Sequence, residues 1–185
     1  MDLELLESWK SQYYDNFDWE KAPLISVHYA IVANVIYLIL VALLFPSKKN
    51  QENKKKKEPT LMTHVVAFHN LILSFWSLVM FVGALYEGYR RTAGEGDGLW
   101  WIVCERKGTR PTGPFYFWVW LYYISKYYEL LDTVFSFLKG SIPPSWILNV
   151  YHHVAAVFMA WSWGTYSMSV AVYGVGFNTF VHIVM

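Results

Sequence analysis

Charge is what this chain of 185 residues has least of. Charged residues make up 16% of it, against about 25% in an average soluble domain. That shortage excludes the disordered class and basic nucleic-acid-binding arms, and a formal net charge of +1 gives no reason to expect a polyanionic partner. Cysteine is almost missing too. Cys104 stands alone, so no intrachain disulfide can form and a small disulfide scaffold is excluded. Residues 1–23 are acidic and have no apolar core, which is not the pattern of a signal peptide. What the chain has in excess is apolar surface, with 55% hydrophobic and 19% aromatic residues. The balance points to an all-α integral membrane protein.

The placement of the few charges supports that class. Leu24–Phe45 carries no charged residue over 22 positions, and Leu61–Tyr86 none over 26. A membrane helix needs about 20 apolar residues at about 1.5 Å each. A third run, Phe115–Leu138, is interrupted by Lys126, Glu129 and Asp132, and two more follow at Trp146–Trp163 and Tyr166–Met185. Pro23, Pro46, Pro59, Pro114 and the Pro143-Pro144 pair fall between the runs, where helices end. Five transmembrane helices are expected, at about 24–45, 61–86, 115–138, 146–163 and 166–185. They form one membrane domain, 24–185, after an acidic segment, 1–23.

Orientation follows from lysine. The loop 46–60 holds Lys48, Lys49 and Lys54 to Lys57. The N-terminal segment instead holds Asp2, Glu4, Glu7, Asp15, Asp18 and Glu20 against Lys10 and Lys21. The positive-inside rule places the first loop in the cytosol and the N-terminus on the far side. The 87–114 loop, with Cys104, then lies with the N-terminus. The last residues, 176–185, are still inside an apolar run without a polar tail, so a truncated chain is expected.

Ionisable groups inside a membrane helix are costly and default to function. Lys126, Glu129 and Asp132 recur every three residues and share one helical face. The alternative is a lysine–carboxylate pair that neutralises itself and only fastens helices. On the next run, Asn149 and His152 share a face while His153 turns about 100° away. Asn178 and His182, four apart on the last run, also share a face. Counted from the cytosolic ends, Asp132 and His152 lie about 9 Å deep and Glu129 about 13 Å. One polar layer, entered from the cytosol, is the expectation.

These residues carry a resemblance. Lys126-Tyr-Tyr-Glu129-Leu-Leu-Asp132-Thr133 fits the K-x-x-E-x-x-D-T signature of the fatty acid elongases of the ELO family. The family has H-x-x-H-H where this chain reads Asn149-Val-Tyr151-His152-His153, and N-x-x-x-H-x-x-M-Y where it reads Asn178 through His182 to Met185. The resemblance implies a seven-helix protein of the endoplasmic reticulum membrane with a lumenal N-terminus, of which five helices are here. It implies condensation of a long-chain acyl-CoA with malonyl-CoA to give 3-oxoacyl-CoA, carbon dioxide and CoA. Acyl-CoA and malonyl-CoA are then substrates, with no separate cofactor and no metal. The bilayer, other enzymes of the elongation cycle and a second copy of the chain are the expected partners, with no nucleic acid among them.

On the same resemblance, His152 is the acyl-accepting nucleophile, and His182 and Asn178 orient malonyl-CoA and stabilise its enolate. Glu129 and Asp132 hold histidine tautomers, Asn149 and His153 complete the catalytic set, and Lys126, Thr133 and Tyr151 bind substrate. Lys126 offsets the carboxylates or meets a CoA phosphate. Asn149 departs from the pattern: it replaces the family's first histidine, and an amide is neither acid nor base. The truncated chain itself is expected to be inactive.

Two other classes compete. A membrane di-iron desaturase or hydroxylase also uses histidine boxes, but such sites need more histidines than the six present, and His28, His64 and His69 lack box spacing. These three read as helix-end or interface residues. A non-enzymatic lipid-binding or transport protein can also use a polar layer. Trp118, Trp120, Tyr122 and Tyr123 read as interfacial or packing aromatics, with an acyl tunnel lining as the alternative.

Overall fold

The structure is a computed structural model that describes residues 3–45, 60–94, 98–139, 142 and 145–184. The lysines of the first loop, Pro46, Pro59, the Pro143-Pro144 pair and Met185 lie outside the described residues. The described chain is all-helical apart from one isolated bridge, Asp18 to Thr112. A short α1 (Leu3–Trp9) precedes α2 (Val27–Leu44) and α3 (Thr60–Gly94). Then come α4 (Trp100–Val103), α5 (Pro114–Glu129), α6 (Leu131–Leu138), α7 (Trp146–Thr165) and α8 (Val170–Val184). Val27–Leu44 and Leu61–Gly94 are long and apolar enough to cross a membrane, with mean hydropathies of 2.3 and 2.0. Their outward faces carry exposed Ile31, Val35, Ile39, Phe68, Phe75 and Val82, an apolar surface that water does not favour.

Three helices differ from the sequence expectation, and the last of them, expected from residue 166, starts only at Val170. The third apolar run is divided at Leu130 into α5 and α6. The second continues to Gly94, about 12 Å past its last apolar residues at about 1.5 Å per residue. Its polar extension is stable because its charges are answered there. Tyr14 donates to buried Glu87 at 2.6 Å, Arg90 bridges the same carboxylate at 3.2 Å, and Arg91 binds both oxygens of Glu105 at 3.0 and 2.5 Å. Burial and the Glu87 contact raise the Tyr14 hydroxyl above its usual range.

The aromatic residues fasten the N-terminal segment to the bundle. Three successive carbonyls in the extended stretch before α2 each meet an aromatic donor. Trp120 donates to Pro23 at 3.0 Å, Tyr123 to Leu24 at 2.9 Å and Trp161 to Ile25 at 2.6 Å. A backbone outside a helix must find such partners when it is screened from water. Trp118 donates to Tyr14 at 3.1 Å, and Tyr122 stacks on Trp163 at 6.0 Å. These contacts pack the helices together, and Trp118 also lines the apolar groove between α3 and α5. Gly113, at φ 88, turns the loop into α5 and hands its N–H to Phe17 at 2.8 Å. The core below this cap includes Val119, Tyr123, Val157, Ala160 and Val175, all fully buried.

Candidate active site

The site starts on α5, where Lys126 and Glu129 are 1% and 2% exposed. The Lys126 ammonium lies 2.5 Å from Glu129 Oε1 and 2.5 Å from Asn178 Oδ1 of α8. It also sits 4.1 Å from the centre of the Tyr122 ring, a cation–π contact. Glu129 Oε2 faces His182 Nε2 at 3.5 Å. Asn178 and His182 are one turn apart on α8, so a single face of that helix meets both members of the ion pair. The spacing of the two polar sets is therefore realised as contact.

Asp132, at the start of α6, turns to α3. Its Oδ1 lies 2.5 Å from Nε2 of His69, whose ring is packed by Tyr128 at 4.5 Å and Phe135 at 5.0 Å. His69 is 3% exposed and its Nδ1 is buried without a hydrogen-bond partner. The sequence pattern marks His69 as a helix-end or interface histidine, and the structure brings it onto a carboxylate of the site. Its signal was the absence of charge around it: a lone histidine amid an uncharged run needs a partner from elsewhere. His28 stays at its helix start, 2.9 Å from Ser26, and His64 is exposed.

Thr133 connects the remaining elements. It is 1% exposed, takes a 2.8 Å hydrogen bond with Tyr37 of α2 and accepts from Asn149 of α7 at 3.3 Å. Tyr37 also packs edge-on against His153 at 6.2 Å. His153 is 6% exposed, whereas its neighbour His152 is exposed and Tyr151 is 69% exposed. The adjacent histidines thus divide: one packs inward under Tyr37, the other stands on an open flank of α7. Thr133, the last residue of the first motif, is the hydrogen-bonding junction of three helices.

Beside this layer an apolar groove of about 560 Å³ runs between α3 and α5, lined by Leu71, Phe75, Val79, Trp118 and Leu121 among others. Among the described residues, no group of three or more His, Cys, Asp or Glu is arranged to hold a metal ion. The arrangement offers a buried lysine, two carboxylates with imidazole neighbours and, on the open flank of α7, one exposed imidazole. Such a set suits acyl transfer and the stabilisation of a developing oxyanion.

The sequence profile described as the ELO: GNS1/SUR4 family matches residues 22–185. Fatty acid elongase sre1 of Dictyostelium discoideum is 32% identical over 183 residues, covering 94% of this chain and 62% of the relative. Fatty acid elongase A of the same organism is 31% identical over 173 residues, covering 92% and 59%. Very long chain fatty acid elongase 5 of Mus musculus is 29% identical over 161 residues, covering 83% and 48%. The chain therefore spans about half to three fifths of the length of these relatives. No solved structure gives a significant match.

Proposed function

The chain belongs to the ELO: GNS1/SUR4 family, and on that premise we propose that the complete protein is a fatty acid elongase. It condenses a long-chain acyl-CoA with malonyl-CoA to 3-oxoacyl-CoA, carbon dioxide and CoA. The observation that carries this reading is the contact of Lys126 and Glu129 with Asn178 and His182, two motifs from separate helices joined in one buried layer. The five long helical runs cross the endoplasmic reticulum membrane within a larger bundle, with the N-terminus lumenal.

The exposed imidazole of His152 is the acyl acceptor, since a nucleophile must be reachable by the thioester. Its neighbour His153 holds α7 against α2 through Tyr37. His182 and Asn178 orient malonyl-CoA, and Glu129 Oε2 faces the His182 ring at 3.5 Å. Lys126 offsets Glu129, with Thr133 and Tyr151 bordering the substrate. Asn149 retains a hydrogen bond to Thr133 in place of an imidazole. The apolar groove between α3 and α5 offers a berth for an acyl chain next to the layer. Other enzymes of the elongation cycle and a second copy of the chain are the proposed partners.

The test is expression of the complete gene product in an elongase-deficient host, with acyl chains profiled after feeding a broad panel of fatty acids. Extension of at least one acid by two carbons is expected. A profile identical to the empty host across the panel overturns the proposal.

A further inference from the structure

The charges of the buried layer do not balance. Lys126 supplies one positive charge, while Glu129 and Asp132 supply two negative ones. With every imidazole neutral, one negative charge is left over in a surrounding that solvates charge poorly. One proton shared by His69 and Asp132 would cancel it. Nε2 of His69 and Oδ1 of Asp132 are in direct hydrogen-bond contact, the geometry in which an imidazole and a carboxyl group can share one proton.

The same pair is built to release that proton. His69 Nδ1 is buried with no hydrogen-bond partner, so a ring protonated on both nitrogens would leave a buried N–H unsatisfied, a cost that favours release of the proton. Tyr128 and Phe135 clamp the ring on its sides. Asp132 keeps 26% of its side chain exposed, against 4% for His69, and so provides the way out. The charged and titratable groups around the pair are Glu129, Lys126 and Tyr128 of α5, Tyr37 of α2 and His182 of α8. His153 of α7 faces Lys126 and Glu129 of the same layer.

The condensation proposed above consumes one proton per turnover. The bond between malonyl carbon and carboxylate breaks and its electron pair forms the new carbon–carbon bond. The acyl thioester bond to sulfur has already broken in the transfer to His152, its thiolate leaving as CoA with the imidazole proton, and condensation breaks the acyl–imidazole bond with its pair left on nitrogen, which takes up a proton. We infer that the His69–Asp132 pair stores this proton and delivers it through Asp132, and is reloaded from water between turnovers. His69 is thus a positioning residue that acts through Asp132. The inference rests on the condensing-enzyme reading.

The experiment measures kcat and the KM for malonyl-CoA from pH 6 to 9, in membranes carrying the complete protein or its His69→Gln variant. Glutamine keeps a hydrogen-bond donor for Asp132 but cannot carry a proton. The expected result at high pH is a kcat lower by about 100-fold, with KM nearly unchanged and the deficit shrinking as pH falls. Where His69→Gln fails to fold, Asp132→Asn takes its place with the same expectation. An unchanged kcat, or an equal loss at every pH, overturns the inference and leaves the elongase reading standing. No condensation by the unmodified protein with any acyl-CoA overturns both.

Discussion

Lys126 Nζ lies 2.5 Å from Asn178 Oδ1 although the two residues are 52 positions apart in the chain. The same ammonium is 2.5 Å from Glu129, so one buried cation ties the face of α5 to that of α8. Loss of either member of the ion pair leaves a charge without a partner in the core. Lys126→Met alone should cost about 3–5 kcal/mol. Lys126→Met combined with Glu129→Gln should cost clearly less than the sum of the two single changes. Unfolding temperatures of the four proteins in detergent check this, and strict additivity would remove the coupling.

The two adjacent histidines should separate stability from chemistry. His153 is packed edge-on against Tyr37, so His153→Ala should lower the unfolding temperature by the equivalent of about 1–3 kcal/mol. His152 stands exposed on α7. His152→Ala should leave the unfolding temperature within about 0.5 kcal/mol of the original and abolish the acyl-enzyme formed from acyl-CoA alone. Mass spectrometry of the intact protein reads the adduct, and an adduct surviving in His152→Ala refutes its assignment as acceptor.

Gly164 and Gly176 should respond to alanine in opposite directions. A Cβ at Gly164 would stand 2.2 to 2.4 Å from atoms of the Trp19 ring, which is itself 2% exposed. Overpacking of this kind costs about 1–3 kcal/mol. A Cβ at Gly176 would meet nothing within 4 Å, so there alanine gains up to about 1 kcal/mol of helix preference. Gly164→Ala should therefore unfold at a lower temperature and Gly176→Ala at the same or a higher one.

Cys104 reports the orientation. It is exposed, in the loop between α4 and α5. In sealed endoplasmic reticulum vesicles a membrane-impermeant maleimide should label it only after permeabilisation. Labelling of intact vesicles would reverse the assigned topology.

Asp18 makes the N-terminal cap sensitive to acid. Its contact with Lys21, 3.0 Å away, and the Glu20 amide hold the carboxyl below its usual value. A carboxyl depressed in the folded state stabilises it above the unfolded value of about 3.9 and stops doing so as pH falls through the depressed value. Protection of the amides of residues 18–22, taken relative to their intrinsic exchange rates, should fall below pH 4 in the original protein, and Asp18→Asn should remove that dependence.

The sequence by itself determined the helical class, the apolar runs and the shared face of Lys126, Glu129 and Asp132. Charge shows directly where a membrane interior is broken, and spacing on one helix shows which residues lie together. Asn178 and His182 were legible for the same reason, and so was the family. What spacing cannot show is how a helix is rotated about its own axis against its neighbours. The polar residues of α3 and α7 are not gathered opposite one apolar stripe, so no hydrophobic pattern marks their inward sides. Only the tertiary structure therefore turned His69 onto Asp132 and buried His153 beneath Tyr37 while leaving His152 open. The extension of α3 to Gly94 was settled there as well, because its charges depend on partners at Tyr14 and Glu105. The scarcity of charge marked the site, and long-range packing chose which groups meet in it.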